Sequence, residues 1–176
     1  MAISIRVAAE PDIPCLADIE RAAGLLFLDV GMPEIAHDGP LPDEVLRQGA
    51  AAGCLWVAVE DAEPQRPVAY LLARRLADGV HIEQLTVHPD FARQRIGARL
   101  IDICAAWANT QGYQLLTLTT FRDVPWNAPY YRRLGFTEVA DPFLPDDVRE
   151  IVQGENDAGL DRWPRVVMRR ELAWGG

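Results

Sequence analysis

Two short segments of this sequence carry the residues whose types and spacing could do chemistry. The first, residues 85–100, reads LTVHPDFARQRIGARL. In it an apolar run passes through a Pro-containing turn into a basic, Gly-bearing loop and then an amphipathic pattern typical of a helix. Free backbone N–H groups, a positive helix end and Arg side chains would meet there, which suits the phosphates of an anionic ligand. The second segment, residues 126–136, reads WNAPYYRRLGF.

Because the chain as a whole is acidic, the basic residues of this loop are a stronger indication of an anion-binding site. The net charge is −9 and the sequence pI is near 4.8, which argues against nucleic acid or an anionic membrane as a partner. Arg93, Arg95 and Arg99 are nevertheless concentrated at one loop–helix junction. Either they hold an anion there, or they are solvated and pair with nearby acids.

Length and composition predict a single cytoplasmic domain. The chain has 176 residues, 49 % apolar and 24 % charged, which is ordinary for one globular domain. It contains no apolar run of membrane-spanning length, and its first residues lack the layout of a signal peptide. Cys15, Cys54 and Cys104 are widely spaced and odd in number, which argues against a disulfide framework or a zinc site and favours a reducing compartment.

Hydrophobic periodicity and turn signals predict the elements that position the two segments. The predicted strands are 3–8, 55–60, 68–76, 80–87, 115–121, 136–140 and 166–172, and the predicted helices are 12–23, 42–52, 95–111 and 127–134. Residues 28–42 are predicted to form an irregular loop, and residues 145–160 are a candidate helix. The strand–helix–strand order around 95–111 predicts one parallel crossover.

Together the two segments resemble the GNAT family of N-acetyltransferases. In that family the loop reads Arg or Gln, two residues, Gly, one residue, then Gly or Ala. Gly97 matches the second glycine, Arg95 replaces the first, and the leading basic position falls on Ala92. The resemblance implies an α/β (α+β) fold over residues 1–176: a mixed, mostly antiparallel sheet with one central parallel βαβ crossover and helices on both faces. Residues 142–163 are longer than the family usually needs.

The resemblance also implies acetyl-CoA as cosubstrate, with no metal. The amides of the loop would bind its pyrophosphate, and the backbone of the preceding strand would bind its pantetheine arm. Residues of the second segment would make further contacts with the cosubstrate. The cosubstrate-binding residues that the resemblance implies are Leu85, Thr86, Val87, Arg93, Gln94, Arg95, Ile96, Gly97, Ala98, Arg99, Asn127 and Tyr130. Arg95 must take a backbone geometry that Gly adopts more easily, and its guanidinium could compensate beside the phosphates. For Asn127 the alternative is an N-cap, with Pro129 in the first helical turn; both roles can coexist.

Acetyl transfer to an amine needs a group that protonates the leaving thiolate. The resemblance places a Tyr close to the sulfur. Tyr131 is preferred over Tyr130 because only Tyr131 keeps the family's spacing to Gly135 and Phe136. The alternative for Tyr131 is aromatic packing beside Leu134.

The reaction also needs a base, because only the free amine attacks. Strand alternation predicts that His81, Glu83, Leu85 and Val87 share one face. Glu83 is the candidate base, acting through water. The alternatives are that Glu83 pairs with an arginine, that His81 is the base, or that water alone serves.

The predicted function is transfer of an acetyl group from acetyl-CoA to a primary amine of a small molecule or peptide, by direct attack in a ternary complex. Phe121 and Trp126 could form a wall for the acceptor, or could be core. The acidic segment 29–44 suits a cationic amine, but could also be a solvated loop. The alternative function is a non-catalytic acyl-CoA-binding or sensing module of the same fold. The resemblance makes a homodimer plausible.

Overall fold

The structure, a computed structural model, describes residues 2–62 and 64–173. Its strands form one seven-stranded sheet in the order β1-β2-β3-β4-β5-β7-β6. Strands β4 and β5 are parallel, and the sheet is otherwise mostly antiparallel. This confirms the predicted fold class. The strands are β1 Ile3–Val7, β2 Leu55–Glu60, β3 Pro67–Arg75, β4 Val80–Val87, β5 Leu115–Phe121, β6 Thr137–Val139 and β7 Arg165–Glu171.

The helices follow the predicted pattern with one correction. They are α1 Ile13–Gly24, α2 Pro33–Ala36, α3 Asp43–Ala51, α4 Ile96–Thr110, α5 Ala128–Arg133 and α6 Asp146–Asp157. The irregular loop predicted for 28–42 is wrong in part, because a 3-10 helix covers Leu25–Val30 and α2 follows it. The Gly and Pro residues that suggested a loop act as helix boundaries: Gly31 ends the 3-10 helix with φ 72°, and Pro33 begins α2. Of the helices in residues 2–62 and 64–173, none has the length and apolarity needed to cross a bilayer.

The chain divides into two compact units, which are described separately. The first comprises residues 1–73 and 84–104. In its core, helices α1 and α3 pack on strands β2 and β3 through buried apolar residues that include Leu16, Leu46, Val57 and Leu72. The amphipathic stripes of these helices and the apolar strands bury each other's faces, as the periodicity predicts.

The second unit comprises residues 74–83 and 105–176. Strand β7 pairs with β5 along seven residues, from Leu115 opposite Glu171 to Phe121 opposite Arg165. Helix α6 adds a small apolar cluster in which Leu144 and Val148 contact Val167. The predicted single domain over residues 1–176 stays a prediction.

The pairing of β3 with β4 contains one extra residue in β4. The Leu76 amide donates to Gly79 O at 2.8 Å, and the His88 amide donates to Val68 O at 2.8 Å. In an uninterrupted antiparallel pair, moving eight residues back from Leu76 to Val68 would bring the partner from Gly79 to Val87. Because the observed partner is His88, β4 contains one extra residue, a bulge, between Gly79 and His88.

Candidate active site

The loop before α4 has a strained backbone at two arginines. Arg93 has φ 64° and Arg95 has φ 60°, both in the left-handed region that favours Gly. The conformation predicted for Arg95 is therefore confirmed, and that of Arg93 was not foreseen. Each costs roughly 1–2 kcal/mol relative to a right-handed conformation. Strain of this size persists where the surrounding structure fixes it, and it is frequent at ligand-binding loops.

The start of α4 presents backbone donors and positive charge. The Arg99 amide donates to Arg95 O at 3.0 Å, so the amides that precede Arg99 in the first turn have no acceptor within the helix. Arg93 and Arg95 are exposed and have no ion-pair partner in the described part of the chain. Arg99 differs, because its Nη2 donates to Ile3 O at 2.8 Å. The predicted alternative of pairing with acids does not hold for Arg93 and Arg95.

The other predicted loop residues divide by burial. Gln94 is exposed, whereas Ile96, Gly97 and Ala98 are buried. In β4, Leu85 and Val87 are half-buried and Thr86 is buried. Ile96 and Ala98 bury their side chains at the start of α4, so the groups there that are able to contact a ligand are the backbone amides.

Asn127 lies at the start of α5, but its side chain does not cap the helix. Instead its Oδ1 accepts a hydrogen bond from Thr120 Oγ1 of β5 at 2.8 Å. The capping alternative is therefore wrong for the side chain. Within residues 2–62 and 64–173, the Asn127 Nδ2 has no acceptor, so this amide is held by its oxygen and can donate through its nitrogen.

Tyr131 is packed by its ring. Its centroid lies 5.5 Å from that of Tyr130 and 5.8 Å from that of Phe136, both edge to face. Burial first, and then Tyr130, raise the pKa of the Tyr131 hydroxyl above its usual value. Among the described residues this hydroxyl has no hydrogen-bond partner. Tyr131 is thus a phenol that stays protonated at neutral pH and has a free proton to donate.

Glu83 forms an ion pair with Arg74. Its side chain is 22 % exposed, and that of Arg74 is 56 % exposed. The arginine pairing left open by the sequence is therefore present. The pairing orients Glu83, and a carboxylate retains further lone pairs with which it could accept a proton.

His81, the alternative base, is buried and hydrogen-bonded within the second unit. It is 2 % exposed, and its Nδ1 lies 2.9 Å from Thr117 Oγ1. Burial, with a smaller effect of Arg74, lowers the pKa of His81 to about 4. Since an efficient general base has a pKa near the working pH, His81 is a poor candidate.

The two predicted acceptor-wall residues differ in burial. Phe121 is 7 % exposed, and its ring contacts Trp163 edge to face at 6.2 Å between centroids. Trp126 is 36 % exposed. The Arg165 guanidinium lies 4.8 Å from the Phe121 ring. The core alternative therefore describes Phe121, whereas Trp126 is exposed enough to contact a ligand.

Sequence reasoning missed a polar cluster around Arg165. Its Nη2 lies 3.1 Å from Glu155 Oε2 of α6 and 3.0 Å from Thr119 Oγ1. The Arg165 Nε is buried without a hydrogen-bond partner in the described part of the chain. The only sequence feature that pointed to this cluster was the segment 142–163, which is longer than the family usually needs.

Sequence reasoning also missed Glu20 of α1. The Leu41 amide donates to both carboxylate oxygens, at 3.2 and 3.3 Å, and the Tyr70 hydroxyl donates to Oε1. Burial raises the pKa of Glu20 above its usual value. The available signal was position, because Glu20 stands one turn after the buried Leu16, on the apolar stripe of the helix.

Comparison with known proteins identifies the class to which these features belong. The model of the acetyltransferase (GNAT) family matches residues 24–136, which is more than half of the chain. The chain belongs to the GNAT acetyltransferase family. Among the described residues there is no group of three or more His, Cys, Asp or Glu side chains placed to hold a metal ion.

Solved structures share the fold at low sequence identity. N-acetylglutamate synthase from Neisseria gonorrhoeae, complexed with coenzyme A and N-acetyl-glutamate, matches with TM-score 0.72 and 19 % identity. The match covers 98 % of this chain and 36 % of that one, so this chain spans about a third of that enzyme. PaiA N-acetyltransferase from Thermoplasma acidophilum, in complex with coenzyme A, matches with TM-score 0.68 and 14 % identity, covering 97 % and 99 % of the two chains. A GNAT-family acetyltransferase from Staphylococcus aureus Mu50 matches with TM-score 0.69 and 15 % identity, covering 98 % and 100 %.

Proposed function

We propose that this chain is a cytoplasmic, single-domain N-acetyltransferase that moves the acetyl group of acetyl-CoA to a primary amine of a small molecule or peptide. Family membership supports acetyl-CoA as the donor. The observation that carries catalysis is Tyr131, whose ring is packed and whose hydroxyl stays protonated and unpartnered among the described residues. The reducing compartment is proposed from the odd number and wide spacing of Cys15, Cys54 and Cys104.

The cosubstrate's contacts are proposed from donors in each unit. In the first unit, the amides of residues 93–98 and the guanidinium groups of Arg93 and Arg95 suit the pyrophosphate. The backbone of residues 85–87 is proposed to pair with the pantetheine arm. Arg99 contributes through its place in the first turn, since its side chain is bonded to β1.

In the second unit, the free Nδ2 of Asn127 and the ring of Tyr130 are proposed cosubstrate contacts. The exposed Trp126 is proposed as acceptor wall, and Phe121 supports it from the core. No metal is part of the proposal. We also propose a homodimer, which light scattering after size-exclusion chromatography would test.

The proposed reaction is direct attack in a ternary complex. Glu83, oriented by Arg74, accepts a proton from the acceptor ammonium through water. The free amine nitrogen then attacks the thioester carbonyl carbon, forming the C–N bond while the C–S bond breaks. Tyr131 donates its proton to the leaving sulfur, and the resulting tyrosinate takes up the proton that the new amide nitrogen loses, directly or through water, which leaves a neutral amide and the CoA thiol. The raised pKa of Tyr131 keeps its phenol protonated at neutral pH, so the proton is present when the thiolate leaves.

Substitution of Tyr131 by Phe tests the proposal, with Tyr130→Phe on the same helix as the matched control. The acceptor panel contains L-lysine, spermidine, kanamycin and a hexapeptide with a free N-terminus. We expect Tyr131→Phe to lower kcat by roughly 100-fold or more while the Kd for acetyl-CoA, measured by calorimetry, changes less than twofold. Equal kcat values for wild type and Tyr131→Phe would refute the acid role.

The non-catalytic module remains a second candidate because one observation favours it. The loop that would hold the pyrophosphate carries two strained arginines, and one of them, Arg95, stands where a glycine is expected. Binding of acetyl-CoA and CoA, with neither transfer to the panel nor slow hydrolysis, would favour the module. Transfer to any panel amine would exclude it.

A further inference from the structure

Glu20 carries a half-buried negative charge that no cationic side chain of the described residues neutralises. Asp12, Glu83 and Glu155 do have such partners: Asp12 pairs with Arg6 at 2.6 Å, Glu83 with Arg74, and Glu155 with Arg165 at 3.1 Å. Glu60 and Asp147 are also half-buried without an ion pair among the described residues, but neither of them is bonded by a side-chain hydroxyl as Glu20 is. The adjacent Arg21 is bonded to Asp18 instead. Charges removed from water are normally paired, because desolvation is costly. A cationic ligand could therefore pair with the carboxylate of Glu20.

The carboxylate is fixed in place by neutral donors. The Leu41 amide bridges its two oxygens, and the Tyr70 hydroxyl bonds Oε1. Since an ionised carboxylate has about four acceptor sites, these donors leave some of them available. Glu20 is thus held by the loop after α2 on one side and by β3 on the other, with lone pairs left for a further donor.

A short series of hydrogen bonds links Glu20 to the proposed pantetheine-binding part of β4. Gln84 Nε2 donates to Thr86 Oγ1 at 2.8 Å, and Thr86 hydrogen-bonds the Tyr70 hydroxyl, which donates to Glu20. Glu20 is therefore two side chains away from the strand segment proposed to hold the acetylated arm.

We propose that Glu20 binds the ammonium group of the acceptor, and that Tyr70 is the positioning residue that holds the carboxylate for it. The acceptor class is a primary amine that enters as a cation and keeps its proton until the base removes it. This inference rests on the proposed function. The excess acidic charge of the chain, including Asp38 near Glu20, would attract such a cation.

The raised pKa of Glu20 gives the binding a pH signature. Burial is the main cause, Asp38 adds to it, and hydrogen bonds from Tyr70 and Leu41 and the charge of Arg21 oppose it. As the pH falls through the pKa of Glu20, its carboxylate is protonated and loses the charge that attracts the ammonium. The KM for the amine should therefore rise towards acid pH in the wild-type protein.

The test is Glu20→Gln, which keeps an acceptor oxygen for Leu41 and Tyr70 but removes the charge. At pH 7 we expect the KM for the amine to rise roughly 10- to 100-fold, as for loss of a charge-assisted hydrogen bond, and to lose its acid-side increase. Glu83→Gln should instead lower kcat. The matched control is Asp18→Asn on the same helix, whose side chain is 84 % exposed and whose loss should leave KM unchanged. Glu20→Asp, which keeps the charge, should retain part of the affinity if Glu20→Gln fails to fold.

The readouts separate this inference from the proposed function. Calorimetry of each panel amine with the CoA-bound protein reports amine binding without turnover. An unchanged KM or amine affinity in Glu20→Gln would overturn the role of Glu20, as would a wild type that binds none of the four amines. If Glu20→Gln lowers the thermal midpoint but leaves KM unchanged, the role of Glu20 is only to stabilise the loop that contains Leu41. Failure to bind acetyl-CoA would refute the proposed function instead.

Discussion

The left-handed backbone at Arg95 makes a prediction about stability whose sign can be worked out in advance. Replacing Arg95 by Ala removes the guanidinium and keeps the strain, whereas replacing it by Gly removes both. At φ 60° the strain of an L-residue is roughly 1–2 kcal/mol. The greater conformational entropy of Gly in the unfolded chain lowers the stability of the Gly variant by roughly 0.5–1 kcal/mol. Arg95→Gly should therefore be more stable than Arg95→Ala by about 1 kcal/mol.

Urea denaturation of the two variants measures this difference, which corresponds to a Tm difference of roughly 2–4 °C in a domain of this size. Gln94 provides the matched control, since it is exposed, adjacent and not in the left-handed region. There the order should reverse, with Gln94→Gly less stable than Gln94→Ala by roughly 0.5–1 kcal/mol. If Arg95→Gly is no more stable than Arg95→Ala, the strain argument for this loop is wrong.

Affinity for acetyl-CoA should respond differently from stability. If the Arg95 guanidinium contacts phosphate, Arg95→Ala and Arg95→Gly should both weaken the Kd by about 10-fold or more. Their Kd should also depend less on salt than that of the wild type. Variants that keep the wild-type Kd and salt dependence would show that the backbone amides hold the anion without Arg95.

Three further outcomes are expected. The unfolded His81 has a pKa near 6.5 and the folded one about 4, so the unfolded state binds the proton more readily below pH 6.5. Stability should therefore fall by about 2 kcal/mol between pH 7 and pH 5 in urea titrations, and His81→Asn should lose most of this dependence. Gly79→Ala should destabilise by roughly 1–3 kcal/mol, because its Cβ would lie 2.9 Å from Leu115 O. Gly154→Ala in α6, with nothing within 4 Å of its Cβ, should instead stabilise by up to about 1 kcal/mol; a loss of stability there would contradict the helical packing of α6.

The sequence alone predicted the parts of the structure that local patterns determine. The alternating and apolar strands, the stripe of α4 and the parallel crossover followed from period and order. The unusual backbone of Arg95 followed from its place where a glycine is expected. The glycines and prolines of residues 28–42 led to a wrong prediction of a loop, because residues that favour loops also begin and end short helices.

What escaped prediction depends on contacts between residues far apart in the chain. No local pattern shows that the Thr120 hydroxyl, rather than a helix amide, meets Asn127. The bulge in β4 is a difference in register between two strands, and neither strand has a sequence pattern that predicts it. For the same reason the Tyr70 bond to Glu20, which joins β3 to α1, could not be read from the sequence.

The position of β7 between β5 and β6 has a consequence for synthesis on the ribosome. Strand β5 and the later β6 are both translated before β7, yet each finds its partner in β7. Until residues 165–171 leave the exit tunnel, the nascent chain carries two strand edges with unsatisfied backbone groups, and such edges invite pairing with other chains. The second unit must therefore complete its sheet late in translation, and a ribosome that stalls after α6 would leave those edges open to chaperones.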